Sequence, residues 1–308
     1  MKVADLGLHQ LDGLLKGAGL RLRTGPVVTC VRSPLSAVLE GVALHYAEHP
    51  VESADGFADF HISVDHARGL RRWFRPQVVF TLDGDKPFTP LPGDQGFPML
   101  EWGMNWCVSS LAQQFLTLHA AVLERGGRAL VLPAPSGSGK STLCAGLAFR
   151  GWRLLSDELA LIDPGTAMIS PLPRPVSLKN ASIEVIRRFA PQAQFGNIVH
   201  ETLKGTVGHF KPPLDAVLRA DQPALPGWVV LPRFEANAPT QLLPLSKGQA
   251  MMRLIECAFN HNVHGRGGFE LLADLVERSD CHEFIYSKLD EAATLFDRLA
   301  AQGPAVAA

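Results

Sequence analysis

The run Ala134-Pro135-Ser136-Gly137-Ser138-Gly139-Lys140-Ser141-Thr142 is the part of the chain whose residue types and spacing most directly imply chemistry. It fits the phosphate-loop pattern, with Ala134 where the pattern opens on Gly. Gly137 and Gly139 let the main chain curl so that successive N–H groups point inward around an anion. A helix following the loop adds the unpaired N–H groups and positive dipole end of its first turn. Lys140 would reach the β- and γ-phosphates of a nucleotide, and the Ser141 hydroxyl would ligate Mg²⁺. Ser136, Gly137, Ser138, Gly139, Lys140, Ser141 and Thr142 are therefore the expected nucleotide-binding residues.

Trp152-Arg153-Leu154-Leu155-Ser156-Asp157-Glu158 reads as a strand that ends on two carboxylates. Next to the strand that feeds the loop, and parallel to it, its carboxyl end falls where open α/β sheets bind ligands. A carboxylate there can hold Mg²⁺ or take a proton from an attacking hydroxyl. Asp163, in Asp163-Pro164-Gly165, reads as an ordinary turn residue.

Lysine is scarce, with nine in the chain, yet Lys140, Lys179, Lys204 and Lys211 fall within 72 residues of each other. Phosphoryl transfer needs positive charge to offset the charge that grows on the transferred group. Lys179, Lys204, His209 and Lys211 are thus candidates for a clamp around the γ-phosphate or the acceptor, as is Arg174 between Pro173 and Pro175. Gly205 and Gly208 around Thr206 suggest a loop there. Cys257, His261, His264, Cys281 and His282 match no standard zinc spacing, and the first histidines read as a helix end before a Gly265–Gly268 loop.

The elements that must position these groups follow from apolar periodicity. Arg128–Leu132 reads as a buried strand running into the loop, and Leu143–Arg150 as the helix after it, closed by Gly151. Leu116–Leu123 is β-rich, and Arg125-Gly126-Gly127 is a hairpin turn. Before these, Val27–Val31, Asp59–Val64 and Gln77–Leu82 read as strands, Pro34–Tyr46 as a helix, and Pro87–Pro98 as a loop ahead of a helix over Leu100–Leu116. Gly248–Ala258 and Ser287–Leu299 read as amphipathic helices on the sheet. Trp102, Trp106, Trp152 and Trp228 read as core or domain-interface aromatics, and the Ala-rich tail Ala301–Ala308 as fraying. The expected architecture is α/β, with a smaller α+β amino-terminal domain over 1–98 and a phosphate-loop domain over 99–308.

With 46% apolar and 19% charged residues, the 308-residue chain has globular composition. A net charge of −1 argues against non-specific nucleic-acid binding. No apolar run approaches the roughly 18 residues of a membrane span, and the amino terminus lacks the pattern of a signal peptide. Five cysteines without a CxxC pair argue against a disulfide framework and for a reducing cytoplasm.

These residues resemble the HPr kinase/phosphorylase superfamily over about 119–163, through Leu118-His119-Ala120, the loop at 134–141, Phe149-Arg150-Gly151 and Arg153–Glu158. Over nearly the whole chain the sequence resembles the HPr-kinase-related kinase A group, through Glu101–Trp106, Arg174–Asn180 and Lys204–His209. The resemblance implies a P-loop kinase fold of the phosphoenolpyruvate-carboxykinase-like type. It also implies ATP-dependent transfer of the γ-phosphoryl group, with Mg²⁺, to a hydroxyl on a protein, peptide or small molecule. Asp157 looks like the catalytic base, Glu158 stands where the family has its second acidic residue and would share Mg²⁺ with Ser141, and His119 matches the histidine near the phosphates. HPr kinases form hexamers, so the resemblance also raises a homo-oligomer. The signature segment that follows in true HPr kinases has no counterpart here, which points away from HPr as acceptor. A phosphate loop is also compatible with an ATPase that couples hydrolysis to conformational change, or with a non-catalytic nucleotide-binding regulatory module.

Overall fold

A computed structural model describes residues 1–69 and 74–305; positions 306–308 of the Ala-rich tail lie outside the described residues. Helix α1 (Leu8–Lys16) leads into β1 (Leu20–Thr24) and β2 (Val27–Arg32), then α2 (Ser36–His45), β3 (Phe60–His66), β4 (Gln77–Leu82), the short β5 (Leu91–Pro92) and α3 (Gly96–Leu111). The five strands form one sheet in sequence order. β2 and β3 pair in parallel, which requires a crossover, and α2 supplies it. Helices α2 and α3 cover one face of this sheet, burying Val38, Val42, Met99, Leu100 and Met104 with Ile62, Val64 and Phe80. Gly103 permits the close approach, because a Cβ there would sit 2.0 Å from the Phe80 ring. The expected division at residue 98 falls inside α3, and the buried face of that helix packs on the first sheet. Pro87–Pro98 is correspondingly not all loop, since β5 and the start of α3 lie in it.

The second sheet is built from β6 (Leu116–Arg125), β7 (Arg128–Pro133), β8 (Arg153–Ser156), β9 (Leu159–Ile162), β10 (Ile169–Ser170), β14 (Leu225–Phe234), β15 (Gln241–Pro244) and β16 (Asp280–Tyr286). Its path runs β10-β9-β6-β7-β14-β16-β15, with β8 also on β6. β6 and β7 form a hairpin whose turn places Gly126 and Gly127 at positive φ. β7, β14 and β16 run parallel, and alternate residues of β7 face opposite layers. Leu130 and Leu132 pack with helices α4 (Lys140–Ala148) and α9 (Leu289–Gln302). Ala129 and Val131 pack with α7 (Lys247–Cys257) and α8 (His261–Glu277). A sheet covered on both faces reads as continuous apolar runs, as Ala129–Leu132 does.

Between β10 and β14 the chain forms a separate three-stranded sheet of β11 (Val176–Lys179), β12 (Val199–Thr202) and β13 (Gly205–Phe210), in the order β11-β13-β12, with α5 (Ala181–Phe189) and α6 (Leu214–Leu218). Gly205 and Gly208 thus lie in a strand rather than a loop. Gly265–Gly268 lie within α8, which is interrupted at Gly265 (φ +55°).

One expectation about strand order is corrected. β8, which delivers Asp157 and Glu158, pairs antiparallel with β6 and is not the neighbour of β7. β6 lies between them and carries His119 into the same end of the sheet. A strand inserted between two parallel neighbours must run the other way when it is the hairpin partner of one of them.

Candidate active site

The loop from Ala134 to Gly139 leaves β7 and enters α4 at Lys140. Gly137 and Gly139 take φ of +90° and +88°, the left-handed region that favours glycine. Two neighbouring strand ends brace the loop: the Phe234 N–H donates to Ser138 O at 2.8 Å, and the Tyr286 hydroxyl donates to Gly139 O at 2.8 Å. Lys140 is buried, and its Nζ has no hydrogen-bond partner; the Ser138 hydroxyl is likewise unpartnered. Burial lowers the Lys140 pKa, opposed by the charges of Glu158 and Asp157. A buried, unpartnered ammonium beside a glycine loop at a helix N-terminus is suited to an anionic group.

Asp157 lies beneath this loop. Its Oδ2 accepts a 3.3 Å hydrogen bond from the Ser177 N–H, and its Oδ1 has no partner. Burial, then the adjacent charge of Glu158, pushes its pKa up to about 7, against Lys140 and the nearby Ser141 hydroxyl. Burial acts on Glu158 in the same direction, but there the hydrogen bond to His119 (3.2 Å) and the charges of Lys140, His119 and Lys179 outweigh it and hold the carboxyl down. One carboxylate therefore tends to keep a proton while its neighbour is ionised.

Glu158 and His119 also line a cavity of about 180 Å³ that none of the loop residues reaches. Its other walls come from α3 (Trp102, Asn105, Trp106), from β11 (Ser177), and from the β12–β13 hairpin (Lys204, His209). Phe259, stacked on His119 at 6.0 Å, closes one side. Lys204, an exposed residue at the hairpin tip, places its ammonium over the Trp102 ring, 4.8 Å from the centroid. Burial pushes His209 down to about 3 and so keeps its imidazole neutral. A larger cleft of about 590 Å³ belongs wholly to the amino-terminal unit, and its Ser63, Asp65 and Thr81 side chains bond one another.

Of the residues singled out from the sequence, Ser136–Thr142, His119, Asp157, Glu158, Lys179, Lys204 and His209 gather around the loop and this cavity. Arg174 and Lys211 are not free clamp residues. Arg174 is buried, donating to Glu101 Oε2 (2.8 Å), Glu101 O (2.9 Å) and Asn105 Oδ1 (2.8 Å). Lys211 turns toward Glu48 at 3.8 Å. His261 and His264 open α8 and do not close it, and the His264 Nε2 lies 3.1 Å from Phe115 O. Trp152 and Trp228 are buried in the core, but Trp102 and Trp106 line the cavity. Trp102, Asn105 and Ser177 are functional candidates that the sequence reading missed. The polar spacing Glu101, Asn105, Ser109 within an apolar helix was the available signal.

Fold and site together define a mixed α/β protein in which a glycine-rich loop at the start of α4 lies beside a carboxylate pair. No family model matches the chain, and no curated protein matches it. Among solved structures, the Hpr(Ser) kinase/phosphatase from Coxiella burnetii aligns over 61% of this chain and 99% of that chain, at 12% identity and a TM-score of 0.27. At that score the likeness decides neither fold nor activity. No helix among the described residues is long and apolar enough to cross a membrane.

Proposed function

We propose that the protein is a Mg²⁺-dependent kinase that transfers the γ-phosphoryl group of ATP to a hydroxyl acceptor. The observation that carries this reading is the buried, unpartnered Lys140 ammonium, which lies between a glycine loop and two carboxylates, one of which, Glu158, borders a separate polar cavity. An ATPase needs only a water beside the phosphates, and a binding module needs no carboxylate pair. A walled cavity next to Glu158 has a use in transfer.

The unpaired N–H groups of the loop and of the first α4 turn, with Lys140, would bind the phosphates. ATP with Mg²⁺ supplies the phosphoryl group and part of the charge neutralisation. For the carboxylates, geometry supports a division opposite to the one the resemblance implies. Asp157, beside Ser141 and with a free buried oxygen, would share the metal with Ser141, and cation binding would displace its proton. Glu158 borders the cavity and is the carboxylate within reach of an acceptor hydroxyl, and reach precedes pKa in choosing a base. His119 holds Glu158 in place, and Lys179 adds positive charge beside it.

The test is transfer of label from γ-labelled ATP with Mg²⁺ into a fractionated extract, using wild type, Asp157→Asn and Glu158→Gln. Label moving to a discrete acceptor with wild type only supports the kinase. Equal release of phosphate to water with and without extract would replace it with the ATPase, and bound but unconsumed nucleotide with the regulatory module.

A further inference from the structure

The cavity beside Glu158 has a chemical bias that narrows the acceptor. Trp102 Nε1 is buried without a partner and can only donate. The Asn105 side-chain oxygen accepts from Arg174 at 2.8 Å, which leaves its NH₂ group as the half available to the cavity. The Lys204 ammonium lies over the Trp102 ring, and its pKa is lowered by burial and then by the charge of Lys179, against the charge of Glu158 across the cavity. Ser177 Oγ and His209 Nε2 are buried and unpartnered, each able to donate or accept. Against these donors stands one carboxylate, Glu158, which His119 holds from one side at 3.2 Å. Glu101 is already taken up by Arg174 and by the Tyr46 hydroxyl at 2.6 Å.

A wall with two fixed donors (Trp102 Nε1 and the Asn105 amide), two adaptable groups (Ser177 and His209) and one ammonium is complementary to an acceptor-rich group of single negative charge. Buried donors left unpaired cost free energy that such a ligand would recover. A neutral polyol would satisfy fewer of them and leave Lys204 with only Glu158 as a negative charge in the cavity. A dianionic phosphate ester would bring excess negative charge against Glu158. The volume of about 180 Å³ corresponds to roughly six waters at about 30 Å³ each, room for a compact molecule.

Building on the kinase reading, we propose that the acceptor is a small hydroxy acid. Its carboxylate would be held by Lys204, Trp102 Nε1 and the Asn105 amide, and its hydroxyl would be turned toward Glu158. In the transfer the hydroxyl oxygen forms the new P–O bond, the bond from the γ-phosphorus to the β,γ-bridging oxygen breaks, and the hydroxyl proton passes to Glu158. The products are the phosphorylated acid and ADP.

Two measurements test this. The first is calorimetric titration of the nucleotide-free protein with glycerate and L-serine, each beside its amide, and with glycerol. Carboxylate forms are expected to bind at least about tenfold more tightly than the amides, the worth of one charge-assisted hydrogen bond. Lys204→Met should remove that preference and Lys204→Arg should restore part of it. The second is labelled-ATP transfer to the same compounds and to a serine-containing peptide, where Lys204→Met should raise KM for the acids far more than it lowers kcat. Equal binding of acids and amides, or transfer favouring glycerol or the peptide, overturns the hydroxy-acid assignment and leaves the kinase standing. ATP consumption without transfer to any hydroxyl overturns the kinase reading, and with it a transfer role for a carboxylate site that still binds.

Discussion

Arg174 and Glu101, 73 residues apart in the chain, form a buried ion pair at 2.8 Å; three residues after Arg174, the Ser177 N–H holds Asp157. The pair ties the α3 wall of the cavity to the segment leading into the strand that holds Asp157, and it occupies the Arg174 guanidinium within the protein.

Removing one partner of this pair leaves the other charged and buried. Arg174→Met is expected to cost about 3–5 kcal/mol in urea unfolding, and the double variant Arg174→Met/Glu101→Leu substantially less than the single change. Equal losses in the two proteins would show that charge burial is not the cause.

The two loop glycines are expected to respond differently to alanine. At Gly139 a Cβ would lie 2.5 Å from Tyr286 Oη and 2.9 Å from Phe234 Cβ, whereas at Gly137 nothing lies within 4 Å. Both changes carry the backbone cost of a positive φ, about 1–2 kcal/mol. Only Gly139→Ala should also displace the loop and abolish nucleotide binding, which fluorescence titration with an ATP analogue would measure.

Asp157→Asn should stabilise the nucleotide-free protein while ending transfer. The folded-state pKa of Asp157 is raised to about 7, so the folded carboxyl keeps a proton that the unfolded one gives up. Its contribution to stability is present below about pH 4 and is lost as pH rises toward 7. At pH 8 the neutral amide avoids that loss, and a gain of about 1–3 kcal/mol is expected by chemical denaturation. A destabilised variant would mean that the carboxylate is well solvated or paired in the fold.

Acid should act on three buried histidines. Burial holds His45 at about 4, His49 at about 4 and His209 at about 3, below the ordinary value near 6.5. Unfolded histidines take up protons below pH 6.5 while the folded ones do not, so stability is constant above that pH and falls between about 6.5 and 4. Measured in Asp157→Asn, which removes the opposite dependence of that carboxyl, the loss should reach several kcal/mol. A flat profile over this range would refute the neutral, buried state of these rings.

The loop and its flanking elements were legible in the sequence because local chemistry dictates them: Gly137 and Gly139 have no substitute at positive φ, and Arg128–Leu132 is apolar throughout after its first residue. Helix α1 and strand β1 were not anticipated; Leu11 and Leu15 bury against distant residues of the first sheet, and the helix face they form is too short to stand out. The intervening position of β6 depends on pairing between strands some 30 residues apart, which no local pattern encodes. Arg174 read as a candidate clamp because its environment, Glu101 and Asn105 on a helix far earlier in the chain, exists only after folding. Trp102 was assigned to packing for the same reason, since one free N–H pointing into a cavity looks like any other tryptophan in sequence.

The α3 side of the cavity is carried on the first sheet and the glycine loop on the second, and on the proposed reading this separation makes selectivity adjustable apart from transfer. Gly103 is locked by its close approach to Phe80, whereas Trp102, Asn105, Trp106 and Ser109 of the same helix line the cavity. On the proposed reading, variation at those four positions and at Lys204 would redraw the acceptor profile while leaving Lys140, Asp157 and Glu158 untouched. A lineage could then move between substrates by small changes along one helix and one hairpin tip, and a laboratory library would start from those positions.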